Sequence, residues 1–360
     1  MIQAAVCYQF GKPLVIEDVH IDPPSRGEVL VRIAATSICH SDLHLVKGEW
    51  GGRTPVVAGH ECAGVVEEIG EGVNGVEVGN RGVVSLIRSC GRCHFCARGM
   101  PQICEGEFAL AHETRLRNAR GDALVQGLFT GGFAEKVVVD QSQVVRIPDA
   151  MPLDCAALLA CGVITGIGAV VNTAGIEPGS SVAVVGTGGV GLNAIQGARL
   201  AGGNPVIAVD LLDSKLEIAR CFGATETVNG KEEDAAEAVF RLTSGRGADY
   251  VFVTVGSVGA INSAIDLAGR RGTVVLVGIP AADASATFSA MPFVRSEKRM
   301  LGSRMGSTRL AVDIPRLVDL YQQGRIKLDE LITERYSLEQ INEAIESLER
   351  GEALRNVIIF

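Results

Sequence analysis

Along the first third of the chain, apolar and polar residues alternate in short runs. Examples are Ala4-Ala5-Val6-Cys7-Tyr8, Val29-Leu30-Val31-Arg32-Ile33-Ala34, Val65-Val66-Glu67-Glu68-Ile69 and Arg81-Gly82-Val83-Val84, broken by Pro23-Pro24, Gly27, Gly72, Gly75 and Gly79. A period of two bounded by Gly and Pro predicts short antiparallel strands, and Phe133 to Val139 adds another. Residues 105–132 are polar, and Arg115, Arg117 and Arg120 read there as a solvated loop without a role. Pro152 to Ala174 is apolar and rich in Ala, Gly and Leu, as a buried helical connection would be.

From Ser181 the period changes. Val182 to Val185 is a short apolar run, followed by Gly186-Thr187-Gly188-Gly189-Val190-Gly191 and then by Leu192, Ile195, Ala198 and Leu200 at helical spacing. A second apolar run, Pro205 to Val209, ends in Asp210, 19 residues after Gly191. Strand, glycine turn, helix, strand and terminal acid is the dinucleotide-binding pattern. The glycines allow a tight turn and close backbone approach, and the helix N-terminus offers N–H groups to a pyrophosphate. Asp210 would bond the ribose hydroxyls and repel a 2′-phosphate, which favours NAD over NADP. Further strands are predicted at 248–255 and 272–278, and helices at 214–222, 232–243 and 258–270. Amphipathic helices follow at 314–323 and 338–348, and a closing strand at 355–360. The whole is an α/β sheet of roughly 163 to 300 attached to a Gly-rich β domain.

A length of 360 residues suits about two domains. The net charge of −9 argues against a nucleic-acid footprint or a basic membrane face. No run of 18 apolar residues exists, and Met1 to Val6 does not read as a signal peptide, so a cytoplasmic protein is expected. In that compartment ten cysteines point to metal ligands rather than disulfides. Cys7, Cys62, Cys155 and Cys221 stand in apolar or helical surroundings and are expected to be inert buried thiols.

Cys90, Cys93, Cys96 and Cys104 are spaced closely enough to close a tetrahedron around a structural zinc. A redox pair would leave two of these thiols unexplained. His94, inside the loop, is expected to be solvated. Cys39 and His60, with Cys161 downstream, are candidates for a catalytic zinc, which needs three protein ligands and one open position.

Taken together, Cys39-x-Ser41-Asp42-x-x-His44, Gly59-His60-Glu61, the four-cysteine lobe, Cys161 and the glycine turn resemble the zinc-dependent alcohol dehydrogenases of the medium-chain dehydrogenase/reductase family. The resemblance covers essentially the whole chain. It implies a GroES-like catalytic domain at 1–162 and 305–360, carrying two zincs, and a Rossmann NAD-binding domain at 163–304. It places Cys39, His60 and Cys161 on the catalytic zinc, Glu61 behind the metal, and Asp42 on the imidazole of His60. Ser41 would touch the substrate oxygen, and a proton would leave through Ser41, the nicotinamide ribose and His44.

On the cofactor the resemblance implies His40, Thr165, the 186–191 turn (Gly186, Gly188, Gly189, Val190, Gly191), Asp210, Lys215, Val255, Val277, Gly278 and Arg355. His40 stands where family members often have an arginine facing the pyrophosphate. Trp50 and Leu86 fall at the substrate channel, which suggests primary alcohols or aldehydes with an apolar or aromatic body. Dimers or tetramers are expected. The alternatives are a dehydrogenase of a thiol–formaldehyde adduct and a non-catalytic NAD-binding protein on the same fold.

Overall fold

The computed structural model describes residues Met1 to Phe360. The chain forms two compact units, Met1–Cys161 with Arg309–Phe360, and Gly162–Thr308.

The first unit is β-rich. Strands Ile2–Cys7, Val15–Ile21, Leu116–Arg117, Ala123–Gln126 and Val56–Val57 close a small barrel. Its interior holds the wholly buried Phe133, Leu116 and Leu124. The stretch read as a solvated loop therefore supplies two barrel strands, too short to show a period. Arg115 within it makes a two-pronged pair with buried Glu28, at 2.8 and 2.9 Å, a role that its surroundings in sequence do not suggest.

Beside the barrel lies a seven-stranded sheet. Its strand Glu28–Ser37 pairs antiparallel with Glu61–Ile69, setting Ser37 opposite Glu61. The closing strand Arg355–Ile359 pairs along the other edge of the same strand, with Val357 opposite Ser37. One strand end is thus flanked by Glu61 on one side and by Arg355 on the other.

In the second unit six parallel strands run in the spatial order Glu226–Asn229, Val206–Asp210, Val182–Val185, Ala248–Val253, Ala268–Leu276 and Arg299–Gly302. Numbered along the chain that order is 3-2-1-4-5-6, the doubly wound dinucleotide-binding arrangement. The core strands are Val- and Ile-rich and buried on both faces, as parallel sheets require. The helix expected to reach residue 270 ends at Leu267, where Ala268 turns extended (ψ 134°) and opens the next strand.

Leu153 to Ala174 is one helical run, long and apolar enough to cross a membrane by length and composition, but 89% of its most apolar window is packed inside the protein. Two widened π turns interrupt it, Leu159–Val163 and Ala169–Ala174. The chain returns through Met305-Gly306-Ser307, all left-handed at φ 49°, 64° and 49°. Two non-glycine residues in that region cost about 1–2 kcal/mol each. Asn172 and Thr173 hold the turn, donating to the Gly306 carbonyl at 3.2 Å and meeting Ser307 Oγ at 2.8 Å. That seating keeps residues 305–308 with the second unit, four residues beyond the join expected from sequence.

Candidate active site and metal centres

Helix His40–Lys47 starts at Cys39, with Asp42 in its first turn. Asp42 is almost fully buried. Its Oδ2 accepts the Cys39 N–H at 3.0 Å, and its Oδ1 accepts the Gly59 N–H at 3.0 Å. Oδ1 also lies 2.8 Å from His60 Nδ1. A carboxylate only accepts, so His60 carries a hydrogen on Nδ1, which leaves Nε2 as the ring atom that can offer a lone pair to a metal. That Nε2 is buried without a hydrogen-bond partner.

Cys161 comes from the π turn of the long helix. Such widened turns recur at functional sites, and this one has its Ala160 carbonyl satisfied by Ser85 Oγ at 2.6 Å. One ligand atom from each of Cys39, His60, Glu61 and Cys161 lies within 4.8 Å of the others, and all four residues are buried. Two thiols and an unpartnered imidazole nitrogen in a closed space form a donor set that suits zinc. A hydrogen bond with Cys161 holds the Cys39 thiol well below its ordinary range against the opposing effect of burial, so the thiolate that a metal needs is favoured there.

Glu61 has neither carboxylate oxygen hydrogen-bonded. Burial pushes it up to about 8, against the pull of Arg355. Arg355, which the sequence reading expects at a cofactor pyrophosphate, lies in the first unit with Nη1 3.7 Å from Glu61 Oε1 and with Nη2 unpartnered.

The second cysteine group is also assembled. Cys90, Cys93, Cys96 and Cys104 bring their sulfurs within 4.8 Å of one another. Backbone N–H groups of Cys93, Cys96 and Gly106 point at the sulfurs of Cys90, Cys93 and Cys104 from 3.2–3.4 Å. Hydrogen bonds from Cys96 and Glu105 hold Cys93 down to about 6. Four half-exposed thiols with N–H donors turned toward them fit a structural zinc. His94 is exposed, as expected.

In the second unit the glycine turn has the required form. Gly186 takes φ +89°, and a Cβ on Gly191 would lie 1.9 Å from the Gly186 carbonyl oxygen, so a side chain cannot fit. A Cβ on Gly188 would meet nothing within 4 Å, which leaves the N-cap of helix Gly189–Leu200 open to approach. Asp210 Oδ2 accepts from the Thr187 N–H at 2.7 Å and its hydroxyl at 2.9 Å. Oδ1 accepts the Leu211 and Leu212 N–H groups at 2.7 and 3.3 Å. The acid therefore ties the glycine turn to the neighbouring strand, a role that spacing alone does not reveal.

The other expected positions are distributed as follows. His40 is the exposed first residue of its helix, and Ser41 and His44 are half-buried on it. His44 Nδ1 pairs with Glu49, and its ring stacks on Trp50. Glu49 is a residue that the sequence reading overlooks. Trp50 and Leu86 are half-buried, and Trp50 Nε1 has no partner. Thr165 is buried, with its hydroxyl 3.8 Å from Met305 Sδ. Lys215 is half-buried on helix Asp213–Cys221, Val255 and Gly278 are half-buried at strand ends, and Val277 is buried. Cys7, Cys62 and Cys155 are buried thiols, but Cys221 is exposed, because it stands off the helix face that buries Leu216 and Ala219.

A β-rich unit with two cysteine-containing clusters that could each hold a metal, and a doubly wound unit with a glycine turn, define a zinc-binding dehydrogenase. Residues 25–149 match the alcohol dehydrogenase GroES-like domain and residues 189–323 the zinc-binding dehydrogenase domain. The chain is 39% identical to the NDMA-dependent alcohol dehydrogenase of Amycolatopsis methanolica, over 99% of this chain and 98% of that one. An alcohol dehydrogenase zinc-binding domain protein from Burkholderia ambifaria superposes with a TM-score of 0.95 at 35% identity, covering 100% of this chain and 98% of its own. Benzyl alcohol dehydrogenase from Acinetobacter calcoaceticus does so with 0.93 at 31%, covering 100% and 99%. The chain belongs to the zinc-type alcohol dehydrogenases of the medium-chain dehydrogenase/reductase family.

Proposed function

We propose that this alcohol dehydrogenase is NAD-linked, carries a catalytic and a structural zinc, and interconverts primary alcohols bearing an apolar or aromatic body with their aldehydes. The observation that carries the reading is the buried donor set of Cys39, His60 Nε2 and Cys161. A zinc ion held by these residues supplies Lewis acidity, which eases loss of an alcohol proton and polarises a carbonyl. Bound NAD supplies the hydride acceptor.

The chain's own residues do the rest. Asp42 keeps His60 in the tautomer that offers Nε2. Ser41 receives the substrate proton, and His44, three residues on and on the same helix face, passes it to water. The N-terminus of helix Gly189–Leu200 takes the pyrophosphate. The charge of Asp210 at the adenosine ribose selects NAD over its 2′-phosphorylated form.

Trp50 and Leu86 form the apolar pocket wall, and similarity to a benzyl alcohol dehydrogenase supports an aromatic substrate. Ten free thiols support a reducing, cytoplasmic setting. The outer strand Arg299–Gly302, with Leu301, Met291 and Val294 exposed near it in sequence, supports a homodimer or homotetramer.

The test is NADH formation with a panel of primary alcohols, benzyl alcohol among them, with and without added thiol. Turnover without thiol supports the reading, and turnover only with thiol favours the thiol–formaldehyde adduct instead. Kinship with an NDMA-dependent enzyme favours a second reading, in which turnover requires NDMA. The same panel with NDMA added separates it, because that enzyme would be silent with NAD alone. Silence under every condition would favour a non-catalytic NAD-binding protein.

A further inference from the structure

Helix His40–Lys47 ends at Gly48, whose left-handed backbone (φ 76°) returns its N–H to the carbonyls of His44 and Leu45. The Glu49 N–H also returns to the His44 carbonyl, at 3.0 Å. A Cβ on Gly48 would lie 2.8 Å from the Phe10 ring, so both φ and sterics demand glycine at this reversal. Glu49 and Trp50 are thereby folded back onto His44. Glu49 Oε2 pairs with His44 Nδ1. The Trp50 indole stacks on the imidazole with centroids 4.9 Å apart and planes at 27°. Lys47, on the same helix, pairs with Glu349 at 2.9 Å and so does not compete for Glu49. The His44 and Glu49 side chains are 29% and 41% exposed, so the pair reaches water.

We propose that Glu49 is a positioning residue for proton transfer at His44, fixing the ring with its hydrogen on Nδ1 while Trp50 sets its plane, so that Nε2 takes the proton released in alcohol oxidation. An ionised carboxylate accepts only, which forces the hydrogen onto Nδ1. Protonation at Nε2 gives an imidazolium facing the Glu49 carboxylate, and loss of one proton to water restores the neutral ring. Glu49 keeps its own charge throughout. The proposal rests on the reading of His44 as the proton's exit.

The test combines nitrogen NMR of the full chain labelled with 15N-histidine and kinetics of E49Q, E49D, H44A and E49Q/H44A. The wild-type His44 ring is expected as the Nδ1–H tautomer, and E49Q as a mixture of tautomers. E49Q should lower kcat roughly tenfold with KM little changed, a part of the ~10²–10⁴ that acid–base transfer contributes. E49D should recover part of the loss, and E49Q should add nothing in the H44A background. An Nε2–H tautomer in the wild type, or an equal loss from E49Q with and without His44, would overturn the proposal. H44A turning over like wild type would instead overturn the proton-exit reading beneath it, and the catalytic role of Glu49 with it.

Discussion

Arg355 Nη1 stands 3.7 Å from Glu61 Oε1, with the two side chains 4% and 0% exposed. They arrive on opposite sides of the strand Glu28–Ser37, one from the N-terminal part of the chain and one from its last strand. Arg355 pulls against the burial that pushes Glu61 up to about 8, so each of these buried groups depends on the other. Truncating one partner of such a buried pair costs about 3–5 kcal/mol. Arg355→Ala should therefore lower the thermal midpoint markedly, and Arg355→Ala/Glu61→Gln should recover part of the loss. An unchanged midpoint in the single variant would mean that the pair contributes nothing.

Asp42 acts on the metal centre through His60. Asp42→Ala removes the acceptor that fixes the imidazole and also frees the Cys39 and Gly59 N–H groups. Zinc affinity at this site should fall about 10–100-fold, the usual cost of losing such a support. Competition against a chelator measures it, and an affinity equal to wild type would count against the tautomer argument.

Thiol reactivity should sort by burial. Burial pushes Cys62 and Cys155 up to about 12, with negligible thiolate at neutral pH. Cys221 is exposed. In the zinc-loaded protein, iodoacetamide at neutral pH should modify Cys221 first and leave Cys62 and Cys155 untouched, as peptide mapping would show. Early labelling of Cys155 would contradict its placement among Tyr321 and Asp329.

Asp210 should decide between the two nicotinamide cofactors. On the proposed NAD-linked reading, Asp210→Ser removes a carboxylate that would repel a 2′-phosphate and should narrow the preference for NAD about tenfold, or ~1.4 kcal/mol. It also releases the Thr187 contacts, so some loss of stability should accompany it. The ratio of kcat/KM for NAD and NADP reads the effect, and an unchanged ratio would rule out this role.

The parts of the fold that follow a strong local rule were legible in sequence. The 186–191 turn, its flanking strands and Asp210 obey backbone geometry that few sequences satisfy by accident. The four cysteines between 90 and 104 are close enough to need no knowledge of the fold. Long-range pairings were not legible. Glu28 and Arg115 are 87 positions apart, and nothing local marks either as a partner. Glu61 and Arg355 meet only because two edges of one strand bring them together. The barrel strands at Leu116–Arg117 and Ala123–Gln126 are too short to show a period. The left-handed turn at Met305–Ser307 is held by side chains from a helix 134 residues earlier, so its own residues gave no sign of it. Glu49 was local, but its role depends on the chain reversal at Gly48.

Cys39, His60 and Cys161 are proposed to hold a catalytic zinc separate from one in the four-cysteine lobe. Native mass spectrometry of wild type, Cys161→Ser and Cys93→Ser, with alcohol turnover measured on the same samples, tests it most directly. Wild type should carry about two zincs per chain, from one open and one closed site. Cys161→Ser should keep one zinc and lose turnover, and Cys93→Ser should lose the lobe zinc while the ion at Cys161 stays. A Cys161→Ser protein that keeps both zincs and wild-type turnover would contradict it.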